Sequence, residues 1–210
     1  MLSVNLAVPH SNPAKDVGVT GIDKRPAAGP VAVRAPDPGC SGLAGDQTFD
    51  VAHHGGGDQA VYAYAREDLD EWAAEIGRSL PNGVFGENLT TSGLDVTGTL
   101  IGERWRIGSG VVLEVTVPRI PCRTFAHWMA EQGWIKRFTR RARPGTYLRV
   151  VTPGEISGGD PITVVRRPDH DITVGLTFRA LTLEPDLLPR LVDCADLPDD
   201  VRALAARRAA

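Results

Sequence analysis

Short apolar runs separated by turn residues dominate the first three quarters of the chain. They are "LSVNLAV" (2–8), "VGVTGI" (17–22), "PVAVRA" (30–35), "VVLEVTV" (111–117), "TYLRVVT" (146–152) and "PITVVRR" (161–167). Their length and β-branched content predict strands, and their spacing predicts an all-β barrel or sandwich. "LIGERWRIGSGVVLEV" and "EISGGDPITVV" each turn the chain between strands with glycine and an acidic residue, a recurring turn chemistry rather than a true repeat.

Helical periodicity interrupts this pattern. In "REDLDEWAAEIGRSL" (66–80), Leu69, Trp72, Ala73 and Ile76 fall on one helical face. Acidic residues fill its first turn, and Gly77 and Pro81 weaken and then stop it. "CRTFAHWMAEQG" and "WIKRFTRRARPG" predict a second and third helix around Gly133, the latter ended by Pro144-Gly145. After Arg167 the glycines thin out and leucine and alanine rise. Thr173 can cap a helix running to about Leu181, Pro185 suits the first turn of another, and "LPDDVRALAARRA" starts a third. The chain therefore divides into a β-rich part, 1–167, and a three-helix module, 168–210. The module is too small to bury a full core alone. Its leucines at 176, 181, 183, 187, 188 and 191 need the barrel's open edge or a second subunit in a homodimer.

Composition narrows the picture. The chain has 210 residues, is 42% hydrophobic and 23% charged, and has a formal net charge of −3. That balance is ordinary for a globular protein and argues against general binding to nucleic acid or membranes. No apolar run approaches the roughly 20 residues of a membrane helix. The opening "MLSVNLAVPHSNPAK" lacks a basic region before its short apolar run, which predicts a strand rather than a signal peptide. Cys40, Cys122 and Cys194 are far apart and odd in number, so they form neither a disulfide framework nor a CxxC metal knuckle. A reducing cytoplasm suits them, and the chain has no four-cysteine set for an iron–sulfur centre.

One cysteine stands out. Cys122 lies in "PRIPCRTFAHWM", where a strand ends and a helix begins, between Arg119 and Arg123. A helix start and neighbouring positive charge both favour thiolate. Cys40 sits in a Pro/Gly loop and Cys194 among acidic residues, and both read as incidental. His127 follows Cys122 by five residues on the same helix and so points about 140° away from it.

Seven motifs occur in a fixed order: "TGIDKRPAAGPVAV", "GLAGDQTFDVAHHGGGDQAVYAYAREDLDEW", "FGENLTTSGL", "IGERWRIG", "VLEVTVPRIPC", "KRFTRRARPGTYLRV" and "GDPITVV". Together they resemble the MOSC domain, the module also found at the C-terminus of molybdenum-cofactor sulfurases. The tail resembles the three-helix module of the YiiM-type subfamily. The resemblance implies a MOSC-type β-barrel with a pocket for the pterin molybdenum cofactor, molybdopterin, and a cysteine that ligates molybdenum or carries sulfur. It also implies reduction of N-hydroxylated compounds such as hydroxylaminopurines, fed by an external electron-donor reductase.

The resemblance assigns roles to individual residues. Cys122 matches the "RxPC" pattern and becomes the molybdenum ligand; soft thiolate suits such a metal. His54, directly before Gly-Gly, matches the family histidine, whereas His53 points to the opposite side of an extended chain. Lys24, in "GIDKRP", becomes a group beside the thiolate and histidine that donates a proton or holds an anionic intermediate, although a lysine is ordinarily a solvated surface group. Arg25, Arg143 and Arg149 are candidates for the cofactor's phosphate, with Arg143 favoured because it precedes the Pro-Gly turn, and Arg119 is a further cofactor-binding candidate through its charge beside Cys122. Glu87 and Asn88, in "FGENL", read the pterin edge or brace a turn. Two readings compete with the reductase: a module that carries a persulfide on Cys122 without turnover, and a zinc hydrolase, whose ligand spacing matches no familiar motif.

Overall fold

The computed structural model describes residues 1–37, 39–51 and 55–209. Its strands are β1 (Ser3–Ala7), β2 (His10–Asn12), β3 (Gly18–Thr20), β4 (Lys24–Pro26), β5 (Val31–Val33), β6 (Val61–Ala65), β7 (Leu89–Thr91), β8 (Arg104–Ile107), β9 (Val111–Pro118), β10 (Thr146–Thr152), β11 (Gly154–Ile156) and β12 (Ile162–Arg166). Its α-helices are α1 (Arg66–Ile76), α2 (Arg123–Met129), α3 (Trp134–Arg141), α4 (Val174–Thr182), α5 (Leu188–Val192) and α6 (Asp199–Ala209).

The expected barrel is replaced by an eight-stranded sheet in the order β12-β8-β9-β10-β6-β7-β1-β4, with the pairs β5–β11 and β2–β3 beside it. The pairing among described residues does not close: β12 pairs with β8 and β4 with β1, at opposite ends. All neighbours are antiparallel except β6 and β7, which run parallel, with α1 in the connection between them. With six α-helices among the described residues added to these strands, the architecture is mixed α/β, the helices falling where the periodicity placed them.

β6 explains why the sheet needs cover on both sides. All five of its residues are buried. Successive side chains point to opposite faces. Val61, Ala63 and Ala65 enter an aliphatic core, and Tyr62 and Tyr64 enter an aromatic cluster. The aliphatic core joins sheet residues such as Trp105, Leu113 and Val115, and Ile101 of the turn before β8, to Val174, Leu176, Leu188, Leu191 and Leu197 of the C-terminal segment. The tail thus packs onto the sheet of its own chain.

Helix ends follow the sequence signals. α1 stops at Gly77, whose left-handed φ of 71° lets its N–H reach the Ala73 carbonyl at 3.0 Å. The Thr173 hydroxyl accepts from the Leu176 N–H at 3.0 Å and starts α4. Pro185 opens a short 3-10 turn, and α5 follows at Leu188. Among the described residues no helix is long and apolar enough to cross a membrane.

Candidate active site

β9 ends at Pro118, and Arg119 to Cys122 carry the chain into α2, with Cys122 in an extended conformation at the N-cap (φ −124°, ψ 171°). Arg119 is buried. Its guanidinium donates to the Phe85 carbonyl at 2.6 Å and lies 3.8 Å from the centre of the Phe125 ring and 5.3 Å from that of Tyr62. Aromatic faces tolerate a desolvated cation better than an aliphatic wall does. Cys122, Arg119, Lys24, Asn88 and Tyr147 line one cavity of about 120 Å³. Thr48, Phe49, Asp50 and Gly55 also border it. His53 and His54 lie outside the described residues.

Lys24 reaches this cavity from β4, a strand at the edge of the sheet. Its ammonium bonds both oxygens of Asp46, at 2.5 and 2.6 Å. Burial drives the Lys24 pKa down, and the Asp46 and Glu87 charges oppose that fall. The turn that carries Glu87 presses on the same strand. At Gly83, with φ of 89°, an added Cβ would stand 2.2 Å from the Lys24 carbonyl oxygen. Glycine is therefore required where the "GVFGENL" turn crosses β4.

Glu87 braces that turn. Its carboxylate accepts from the Gly83 N–H at 2.5 Å, the Phe85 N–H at 3.0 Å and the Thr90 hydroxyl at 2.9 Å. Burial pushes its pKa up, against these hydrogen bonds. It does not line the cavity. Asn88 does: its amide accepts from the Tyr62 N–H at 3.1 Å and donates to Asp46 at 2.8 Å.

Three of the predicted arginines stand apart from this cavity. Arg25 follows Lys24 but is largely exposed and pairs with Asp23 at 2.9 Å. Arg143 pairs with Asp68 and Glu71, each at 2.8 Å, and borders a separate cavity of about 640 Å³. Arg149 lies 3.0 Å from Asp58 and 3.7 Å from Glu114, in a third cavity of about 510 Å³. His127 lines a further cavity with His10 and Trp128.

Asp46 and Tyr147 are among the residues of the main cavity that sequence reasoning passed over. Asp46 lies inside a quoted motif, yet its partner Lys24 is 22 positions away, a separation with no periodic signature. Tyr147 stands in a strand that reads simply as core. Burial raises its phenol pKa, so it remains a hydrogen-bond donor at neutral pH.

Known proteins resemble this chain in sequence and in structure. The MOSC domain model matches residues 50–163. The chain is 33% identical to the uncharacterized protein YflK of Bacillus subtilis over 180 residues, covering 85% of this chain and 79% of that one. It is 32% identical to protein YiiM of Escherichia coli, across 63% of this chain and 60% of that one. A protein of Gibberella moniliformis named "Reductase" is 32% identical across 75% of this chain, which spans only 28% of its length. Among solved structures, YiiM from Geobacillus stearothermophilus superposes with a TM-score of 0.80 at 27% identity, covering 100% of this chain and 98% of that one.

Proposed function

This chain belongs to the MOSC domain family, and we propose that it binds the molybdenum cofactor and reduces N-hydroxylated compounds, with Cys122 as the metal ligand. The observation that carries the reading is the convergence of a thiol, a buried guanidinium and a buried lysine–aspartate pair on one cavity. The relative named as a reductase supports the reaction class.

The donor set fits such a group. Cys122 provides the soft sulfur that molybdenum accepts. Arg119 places a permanent positive charge on the wall of the same cavity, which favours the thiolate. Asn88 and Tyr147 provide hydrogen-bonding groups for a polar ring edge. Arg143 and Arg149 border other cavities and do not supply the phosphate contact here.

The bound cofactor would supply the two-electron couple that opens an N–O bond. The net change is R–NH–OH plus two electrons and two protons to R–NH₂ plus water, with electrons delivered by an external reductase. Lys24 holds a proton at Nζ and delivers it to the departing oxygen. The aromatic wall of Tyr62 and Phe125 behind Arg119 limits water on that side.

Metal analysis and turnover assays on protein from cells that make the cofactor test this reading. Native protein should carry molybdenum and reduce hydroxylamino compounds. Cys122→Ser should lose activity by more than about a hundredfold, beyond the usual cost of losing a supporting residue. Cys40→Ser and Cys194→Ser should keep it. A persulfide on Cys122 in protein without molybdenum would replace the reductase with the sulfur-carrier reading, and full activity in Cys122→Ser would remove both.

A further inference from the structure

We propose that Asp46 is a positioning residue: it fixes the aim of Lys24 and keeps its amine charged inside the cavity. The inference rests on the reading of Lys24 as the proton donor for N–O cleavage.

Asp46 is 3% exposed and accepts from three separate parts of the fold. Its Oδ1 takes the Ala7 N–H at 2.7 Å and Lys24 Nζ at 2.5 Å. Its Oδ2 takes Lys24 Nζ at 2.6 Å and Asn88 Nδ2 at 2.8 Å. β1, β4 and the turn before β7 thus meet at one carboxylate, and the left-handed Gly45 (φ 83°) precedes it in its loop. Four bonds occupy a carboxylate's usual acceptor sites, leaving it little capacity to bind substrate itself. Its remaining role is to act through Lys24. An ammonium has three N–H donors, and the carboxylate engages two of them.

The surroundings decide the charge. Asp46 and Glu87 are acidic groups whose charges act on Lys24, and Asp50, Tyr62, Arg119, Cys122 and Tyr147 share its cavity. Arg25, next in its strand, pairs with Asp23 and is largely exposed. An amine this deeply buried loses its proton unless an opposite charge stands beside it, and Asp46 is that charge. A neutral amine could not deliver a proton to the departing oxygen.

The test follows the Lys24 side-chain amine by NMR titration in cofactor-free protein, its signal identified by its loss in Lys24→Met. The pH profile of kcat in the loaded enzyme is measured in parallel. In Asp46→Asn the amine should titrate lower by about one unit or more, the usual effect of removing an adjacent opposite charge. The alkaline limb of the kcat profile should move by the same amount, with KM changing less. An identical Lys24 titration in native protein and Asp46→Asn overturns the proposal. Should Asp46→Asn fail to fold, Asp46→Glu, which keeps the charge but moves it, takes its place: a changed Lys24 titration upholds the proposal, and an unchanged one or a native amine already neutral at pH 7 refutes it. The titration needs neither cofactor nor turnover. A native protein with no molybdenum and no reductase activity therefore refutes the reading of function, while the Asp46 dependence of the amine is judged separately.

Discussion

The two faces of the central sheet are packed by different chemistry. On one face the core is mostly aliphatic, built from valine, isoleucine and leucine of the strands and of the C-terminal helices. On the other, Trp72, Phe85, Phe125, Trp134 and Phe138 of α1 to α3 and their connections form an aromatic cluster. Phe85 stands among Tyr64, Phe125 and Trp134, with ring centres 5.0 to 5.5 Å away. Tilted and edge-on contacts of this kind give geometric definition beyond area burial. The aromatic face also accepts the Arg119 guanidinium, and the cavity with Cys122 opens beside it. An aliphatic wall would leave that cation its bond to the Phe85 carbonyl but no aromatic face. The aliphatic face holds the two segments of the chain together, and the aromatic face holds the candidate chemistry in place.

The hardest test of this division removes residues 168–210. The cut exposes the sheet residues that Val174, Leu176, Leu188 and Leu191 cover. The truncated chain should become insoluble or self-associate, as light scattering after size-exclusion chromatography would reveal. An unchanged, monodisperse product would show that the sheet does not need the tail.

Single truncations in each core sharpen the comparison. Phe85→Ala and Leu113→Ala each remove a fully buried side chain and should cost about 3–5 and about 2–5 kcal/mol, respectively, in denaturant unfolding. Their effects on the site should differ. The Phe85 carbonyl holds Arg119 and the Phe85 N–H holds Glu87, so Phe85→Ala should also alter the rate at which Cys122 reacts with a thiol reagent. Leu113→Ala should leave that rate within about twofold, as expected for distant, independent sites. Equal changes in both variants would erase the distinction between the faces.

The smallest expected effect is a pH dependence. Burial lowers the Lys24 pKa in the folded state. Between that lowered value and the unfolded one, the unfolded chain binds the proton and the folded chain does not. The slope of unfolding free energy with pH is then positive. The cost of burying Lys24 is largest below the folded pKa and fades as pH rises towards the unfolded value. Lys24→Met should remove this component, so the stability of native protein relative to Lys24→Met should rise with pH across that window. A difference that falls or stays flat would place the wrong sign on the shift.

Much of the fold was legible because its signals are local. The six apolar runs all became strands, and the helix ends fell at Gly77, Thr173 and Pro185, where cap and breaker chemistry acts over a few residues. The fully buried "VYAYA" of β6 was not singled out as a strand, because a run covered on both faces carries no alternation of polar and apolar residues. Strand spacing left a barrel or a sandwich open and the family resemblance implied the barrel, but closure depends on which edges pair.

The sequence by itself determined the family, the strand and helix content, and the one cysteine placed at a strand-to-helix junction. Motif order and short-range periodicity are written along the chain and survive without coordinates. Only the tertiary structure decided that Lys24 meets Asp46, that Glu87 closes a turn while Asn88 faces the cavity, and that Arg143 and Arg149 turn to carboxylates elsewhere. The reason is physical. A charge's partner is chosen by burial and by the path of distant strands, and neither quantity has a period that a sequence can display.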